Sequence, residues 1–452
     1  MKQRGIRLIR FAVLLVLTAL LACAEQPTVE PRTETAAPVA ESVPVEDVIA
    51  AAQTAAVTEA PAASTQEITP EPTETPTPEP TDTPVPTPAT VTIGAVGDIM
   101  APSQIVEDAK TSGGEYDFMT LFEPFAELFE SVDLMCGNLE VPIAGKEAGY
   151  SVKANDGALV FNAPDSFLDA LKASGMDVLT TANNHCLDKD AAGLFRTVEK
   201  VREAGFHQTG TYLDAADREQ PCIVEVNGIR IGFVAGTRKP NAGKTKRHIT
   251  EDEARTVISY LIDGDKITDA AARDIARAKE AGAEFVIYFA HWDYESDNAT
   301  AEVTKSLARQ LFAAGADCII GSHPHRIKGA EYVTVQRADG AYTGLVLYSL
   351  GNFSANNRFE LMVGLFARIT LEKDFATGEV RLVDAGVLPT LSMRRAGKGQ
   401  KFTVVPAYAD PSKITGLKTP LTETELKTLR KAREHAWKRL GKCEGLRILD
   451  EE

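Results

Sequence analysis

Cys318-Ile319-Ile320-Gly321-Ser322-His323-Pro324-His325 is a short apolar run that breaks into a turn carrying two histidines. The run reads as a strand buried on both faces. A His-Pro-His turn after such a strand has little structural use, so a ligand role is the reading it favours. The same pattern recurs along the chain. Gly97-Asp98-Ile99-Met100 follows the apolar residues 91–96, Gly137-Asn138-Leu139-Glu140 follows 132–136, and Ala182-Asn183-Asn184-His185 follows 178–181. His291-Trp292-Asp293-Tyr294-Glu295 follows 285–290, and Tyr348-Ser349-Leu350-Gly351-Asn352-Phe353 overlaps the end of 344–350. Four of only 7 histidines fall inside these runs, which makes one catalytic or ligand-binding centre the first hypothesis.

Helical patterns lie between the runs. Leu194, Val198 and Val201 share a helix face that stops at Gly205, placed as a C-cap, and residues 300–314 form a second candidate ending at Gly315. Strands alternating with helices argue for an α/β fold with a largely parallel sheet and right-handed crossovers. Residues 229–235, 344–350, 361–371 and 380–388 are strand-like with fewer helices between them, which predicts a second sheet or an antiparallel edge. Residues 422–439 read as a terminal amphipathic helix. In open α/β sheets ligands gather beyond the carboxyl ends of the strands, so five of these loops are placed to converge on one crevice. Mixed carboxylate, amide and imidazole donors suit Mn, Fe or Zn better than calcium or a thiolate-rich structural zinc site.

The chain starts with a different grammar. Lys2, Arg4, Arg7 and Arg10 precede the apolar residues 11–21, too short a run to span a bilayer but suited to an export signal. Leu20-Leu21-Ala22-Cys23 resembles the bacterial lipobox, whose cysteine is lipidated; the alternative is an ordinary signal peptide cut near Ala22 or Ala24. Residues 24–90 hold 13 of the 24 prolines, twelve acidic residues and one basic residue, Arg32. Such a segment cannot bury enough apolar surface to offset its ordering entropy and reads as a disordered tether. A flexible coil of that length reaches on the order of 45 Å. The tether carries −11 and the leader +4, which leaves −9 of the chain's −16 on residues 91–452. That acidity argues against a nucleic-acid surface, although a bound divalent metal would offset it locally. Beyond Cys23 the cysteines are 136, 186, 222, 318 and 443, an odd number without metal-ligand spacing. Cys136 and Cys318 read as small core residues, and Cys186 lies beside His185.

The ordered set of motifs resembles the CapA family of poly-gamma-glutamate capsule biosynthesis proteins, whose domain is similar to the calcineurin-like metallophosphoesterases. The likeness covers roughly residues 91–353. It implies a metallophosphoesterase-type α/β/β/α sandwich at 91–390, after a lipoprotein signal peptide (1–23) and the linker (24–90), with a C-terminal extension at 391–452. It also implies one or two divalent ions, Mn, Zn or Fe, held by Asp98, Glu140, Asn184, His291, His323 and His325, with Glu140 bridging. His185 would be the general acid that protonates a leaving alkoxide. Asp98 is followed by Ile99 and Met100 where the related enzymes have Asp-x-His, and a thioether is a poor ligand for a hard divalent ion.

Local readings stand beside these roles. Asp98 and Glu140 suit helix caps or solvated loops, Asn183 and Asn184 a turn, and His185 a satisfied buried position. Asn183, Glu295 and Asn352 are candidates for substrate contact or for orienting a ligand, with Glu295 placed to hold the His291 ring or simply solvated. Asp188 reads as the cap of the following helix, Trp292 as packing, and Gly351-Asn352 as a tight turn. Three functions follow: an exported protein lipid-anchored to the outer face of the bacterial cell membrane, handling poly-gamma-glutamate beside membrane synthesis and export proteins; a metal-dependent phosphoesterase or amide hydrolase of the envelope; or a polymer-binding module without chemistry.

Overall fold

Alternation inside the apolar runs sorts the molecule into layers. In the computed structural model, residues 88–153, 159–241, 249–295, 300–397 and 401–450 are described. The leader, Cys23 and nearly all of the linker lie outside them. In chain order the strands of the two main sheets are β1 (Ala89–Ile99), β2 (Leu134–Leu139), β3 (Val178–Thr180), β4 (His207–Thr209) and β5 (Cys222–Val226). They continue as β6 (Ile229–Thr237), β7 (Phe285–His291), β8 (Cys318–Ser322), β9 (Ala330–Arg337) and β10 (Gly340–Leu347). The last are β11 (Asn352–Ser354), β12 (Val363–Lys373), β13 (Val380–Arg394), β14 (Phe402–Pro406) and β15 (Arg447–Ile448).

The nine-stranded sheet runs β14-β13-β12-β1-β2-β3-β4, with β11 beside β1 and β15 beside β13. Its half from β1 to β4 is parallel and its half from β12 to β14 antiparallel. The six-stranded sheet runs β9-β10-β8-β7-β6-β5, parallel through its centre with antiparallel edges. Residues 229–235 and 344–350 thus build the second sheet, whereas 361–371 and 380–388 extend the first.

Ile93, Ile231, Phe233, Phe285, Ile287 and Ile320 meet in one buried cluster between the sheets. Their neighbours in sequence point the other way. Val96, Met135 and Leu179 pack under helices α1 (Ser103–Ala109) and α2 (Ser166–Ala173), and α3 (Asp190–Glu203) contributes Val201. Val234, Val286, Tyr288 and Ile319 pack under α4 (Asp269–Glu280) and α5 (Glu302–Ala313). Helix, sheet, sheet, helix is the α/β/β/α sandwich that the sequence resemblance implies.

The chain beyond residue 390, where the sequence reading ends the domain, stays in the same body. Residue 390 lies inside β13, and α6 (Glu423–Leu440) inserts Leu429, Ala432, Ala436 and Leu440 into the inner cluster. Thr422 and Glu425 form a reciprocal capping box at its start. Among the described residues no helix is long and apolar enough to cross a membrane. Cys136 and Cys318 are buried and unpaired in the inner cluster, and burial pushes the Cys318 thiol up to about 12.

Candidate metal centre

Backbone crowding at the strand ends fixes where the polar residues sit. A side chain at Gly97 would meet the Gly351 carbonyl at 1.9 Å, and one at Gly321 would meet the Tyr348 carbonyl at 2.0 Å. Only glycine allows β1 and β8 to lie that close to the chain around residues 348–351. Asp98 on β1 thereby stands level with Asn352 on β11 and Asn138 on β2. Glu140 follows β2, His291 ends β7, and His323 and His325 follow β8 in strained left-handed conformations, with φ of 92° and 56°.

These residues converge. Asp98 Oδ2 lies 3.2 Å from His325 Nδ1 and accepts the His323 N–H at 3.2 Å, while Oδ1 accepts from Asn138 Nδ2 at 2.8 Å. Glu140 Oε1 faces His291 Nε2 at 3.5 Å, His325 Nε2 at 3.8 Å and His185 Nε2 at 4.0 Å. Asn184 Oδ1 is 2.8 Å from His291 Nε2. Two triads have ligand atoms within 4.8 Å of one another: Glu140 with His291 and His323, and Asp98 with Glu140 and His325. Glu140 is common to both, as a bridging acid must be.

The electrostatics fit a cation. Glu140 is wholly buried, and neither carboxylate oxygen has a hydrogen-bond partner. Burial, then the Asp98 charge, pushes its carboxyl well above the usual range. Burial would also raise Asp98, but the His325 hydrogen bond and charge, with His291 and Asn138, hold it well below the usual range. Burial, then neighbouring imidazoles, keeps His291 neutral and lowers His323 to about 4. The neutral His291 and His323 and the donor-free oxygens of Glu140 suit a divalent ion, which would hold Glu140 ionised against the burial that protonates it; burial would also lower His325, but the Asp98 hydrogen bond and charge raise it instead. His323 Nδ1 is likewise buried without a partner.

The surrounding contacts rewrite several sequence readings. Asp188 does not cap α3. Its Oδ2 is 2.7 Å from His185 Nδ1 and accepts the Phe161 N–H at 2.7 Å, and Phe161 lies against the imidazole at 4.3 Å between ring centres. Glu295 is exposed and does not hold His291, whose Nδ1 is taken by Ser322 Oγ at 2.9 Å and Asn138 Nδ2 at 3.3 Å. Asn352 belongs to β11, where its Oδ1 meets His325 Nδ1 at 2.8 Å. Asn183 braces the β2 end, donating to the Leu139 carbonyl at 2.8 Å and accepting the His185 N–H at 3.1 Å. Trp292 is packing: it is buried, and its Nε1 donates to the Tyr348 carbonyl at 3.0 Å. Met100 points into the outer-layer core under α1, away from any ligand role, with its backbone tied to Ser354.

The sequence model described as "Bacterial capsule synthesis protein PGA_cap" matches residues 92–357, more than half of the chain. The chain belongs to this family. The match holds every residue of the two triads together with Asn184 and His185. Relatives include the capsule biosynthesis protein CapA of Bacillus anthracis, 29% identical over 266 residues, covering 58% of this chain and 59% of that protein. The PGA biosynthesis protein CapA of Bacillus subtilis (strain 168) is 26% identical over 260 residues, covering 57% of this chain and 61% of that one. The alignments therefore span about three fifths of these relatives. A crystal structure of a novel phosphatase from Mycoplasma pneumoniae superposes at a TM-score of 0.37 with 12% identity, over 67% of this chain and 94% of that one. A likeness that loose adds nothing to the architecture, which rests on strand order and layers.

Asn138, Asp188 and Ser322 are the functional positions the sequence reading passed over as roles. Asn138 and Ser322 lay inside quoted motifs, and Asp188 stood three residues from His185, so proximity was the available signal. Asp293 also lay inside a quoted motif, whereas Lys328 left no such signal. Lys328 Nζ lies 3.4 Å from Asp293 Oδ2 with both side chains fully buried, joining the loop after β7 to the one after β8.

Proposed function

We propose that the chain is an exported protein of poly-gamma-glutamate capsule biosynthesis or anchoring that carries a divalent-metal hydrolase centre. Cys23 anchors it by lipid to the outer face of the bacterial cell membrane, and the linker holds the body away from that surface beside the proteins that synthesise and export the polymer. The observation that carries the catalytic part is Glu140: a fully buried carboxylate with no hydrogen-bond donor, ringed by three imidazole nitrogens within 4.0 Å. Asp98, Glu140, Asn184, His291, His323 and His325 would hold the divalent metal, Mn, Zn or Fe. When bound, the ion supplies Lewis acidity to an acyl or phosphoryl oxygen and acidifies water.

The chain's own groups do the rest. His185 presents Nε2 toward Glu140 while Asp188 fixes Nδ1, which suits a proton donor to a leaving group. Asn352 and Ser322 set the His325 and His291 rings, and Asn183 sets the His185 backbone. The polymer-binding module without turnover is favoured by one observation, the replacement of an imidazole by the core residue Met100.

Metal analysis of the full chain beside His323→Ala/His325→Ala is the test. One or two equivalents in the parent, lost in the variant, with release of product from a phosphoester or a glutamyl amide, supports the hydrolase. Metal without turnover of either class supports the binding module, and no metal after reloading with Mn, Zn and Fe removes the centre.

A further inference from the structure

Arg238 stands one residue beyond β6, on the strand edge that carries His291, and its backbone N–H donates to the His291 carbonyl at 3.0 Å. Its guanidinium lies over the Tyr294 ring, 4.2 Å from the centroid, and Nη2 donates to Tyr294 Oη at 2.8 Å. These contacts order the planar fork, and among the described residues no other side-chain hydrogen bond engages its five donors. Among the described residues no carboxylate is set against it, although the chain has 64 acidic residues for 48 basic ones. Arg218, Arg337 and Arg395 show the usual arrangement here, each paired with a buried acid: Asp274, Asp317 and Glu425.

A rim arginine stacked on a tyrosine is often no more than surface packing. What sets Arg238 apart is the combination of an ordered fork, no counter-ion among the described residues and a position beside the cluster of buried carboxylates and imidazoles. We propose that Arg238 is a specificity-determining residue that receives an oxyanion, carboxylate or phosphoryl, of the molecule on which the centre acts. The inference rests on the metal-centre reading and names the substrate class for it. In a gamma-linked glutamyl chain, the carbon bearing the amide nitrogen also bears a free α-carboxylate. A guanidinium at the rim would hold that group while the neighbouring amide reaches the centre. An inorganic or ester phosphate offers the same fork-matching oxygens.

The full chain, with metal and after chelation, is titrated calorimetrically with a gamma-glutamyl tetramer and separately with inorganic phosphate, in the parent, Arg238→Ala and Arg238→Lys. The expected result is unchanged metal content in all three and a loss of anion affinity of about 10- to 100-fold in Arg238→Ala. Arg238→Lys, which keeps the charge and loses the fork, falls between them. Loss with the tetramer alone identifies a carboxylate, and loss with phosphate alone a phosphoryl group. Equal affinity in parent and Arg238→Ala overturns the proposal, as does a metal-binding parent that takes neither probe. Arg238-dependent binding in a parent that takes no metal would instead remove the metal-centre reading and leave this one standing.

Discussion

Replacing Glu140 with glutamine should have different effects with and without metal. In the parent without metal, a buried carboxylate sits with both oxygens unpartnered. Burial and the Asp98 charge favour its protonated form, and His291 and His323 are held neutral. Leaving a buried polar group unsatisfied costs about 1–3 kcal/mol, and a neutral amide in place of an already protonated carboxyl of the same shape should add little to that. With metal at a hundred times its dissociation constant, the parent gains about 2.7 kcal/mol by linkage. An unfolding entropy of about 2.1 cal/mol/K per residue over the folded body is roughly 0.8 kcal/mol/K, so the parent should rise by about 3–4 °C. Glu140→Gln removes the ligand shared by both triads, so its response to metal should shrink to about 1 °C or less while its melting point in EDTA stays close to the parent's. Differential scanning fluorimetry in EDTA and in Mn, Zn and Fe measures both. A variant several degrees less stable than the parent in EDTA would show that Glu140 holds the fold and refute the ligand argument.

Asp188→Asn should keep the metal but release the His185 ring. The tautomer read from 15N chemical shifts should change, and turnover on any accepted substrate should fall by about 10²- to 10⁴-fold; loss of metal along with activity would make Asp188 structural. Gly97→Ala places a methyl 1.9 Å from a backbone carbonyl that no side-chain rotation can relieve. Its cost should be about 3 kcal/mol or more in urea unfolding, against near-neutrality for the same change at Gly113, which only the Thr111 hydroxyl approaches, at 3.8 Å. Burial alone would raise Glu425, but the Thr422 and Ala396 N–H groups and Arg395 overcome it and hold the carboxyl at about 2. A depressed folded value means this contribution is complete above the unfolded value of about 4.3 and is lost as pH falls toward 2. Acid unfolding followed by tryptophan fluorescence should show it, and Glu425→Gln should lose that part of the pH dependence.

The legible parts of this chain were those where one short segment carries both signals. Residues 285–291 are apolar enough to declare a buried strand and end in the histidine itself, so strand and site residue came from one reading. The His323/His325 turn follows the same rule. Residues 361–371 and 380–388 declared strands but not their sheet, because joining β12 to β1 antiparallel is decided by a register between residues nearly 300 apart. The roles of Asn138 and Ser322 were hidden for the same reason. Each makes its defining bond to a residue on another strand far along the chain, as Asn184 does to His291 over 107 positions, and a motif window cannot see that distance. Asp188 was misread on a local rule: an acid before a helix usually caps it, and here the nearby imidazole took the carboxylate instead. Glu295 took the second of the two readings open to it: it is exposed, and Ser322 fills the position at His291 that its spacing suited.

The division of the ligands between the two sheets explains why so many bonds around the centre are long-range. Asp98, Glu140, Asn184 and His185 come from the carboxyl ends of the first sheet's parallel strands, while His291, His323 and His325 come from those of the second. The cluster between the two sheets is apolar, which resists separation but fixes relative position loosely at their edges. Placing two triads therefore requires polar ties across the layers. The structure supplies them as Asp98 to His325, Asn138 to His291 and Asn184 to His291. The buried Lys328–Asp293 pair adds a tie within the second sheet, holding the loop that carries His323 and His325 against the loop after His291. Removing one partner of a buried pair is costlier than never having built it, so such a tie is useful only where the geometry it fixes matters. Strained φ angles at Asp293, His323 and His325 fall in those same two loops. Strain and buried charge together in two loops facing a carboxylate without donors indicate that packing alone does not set this geometry, and that the fold gives up stability there to hold its ligands in place.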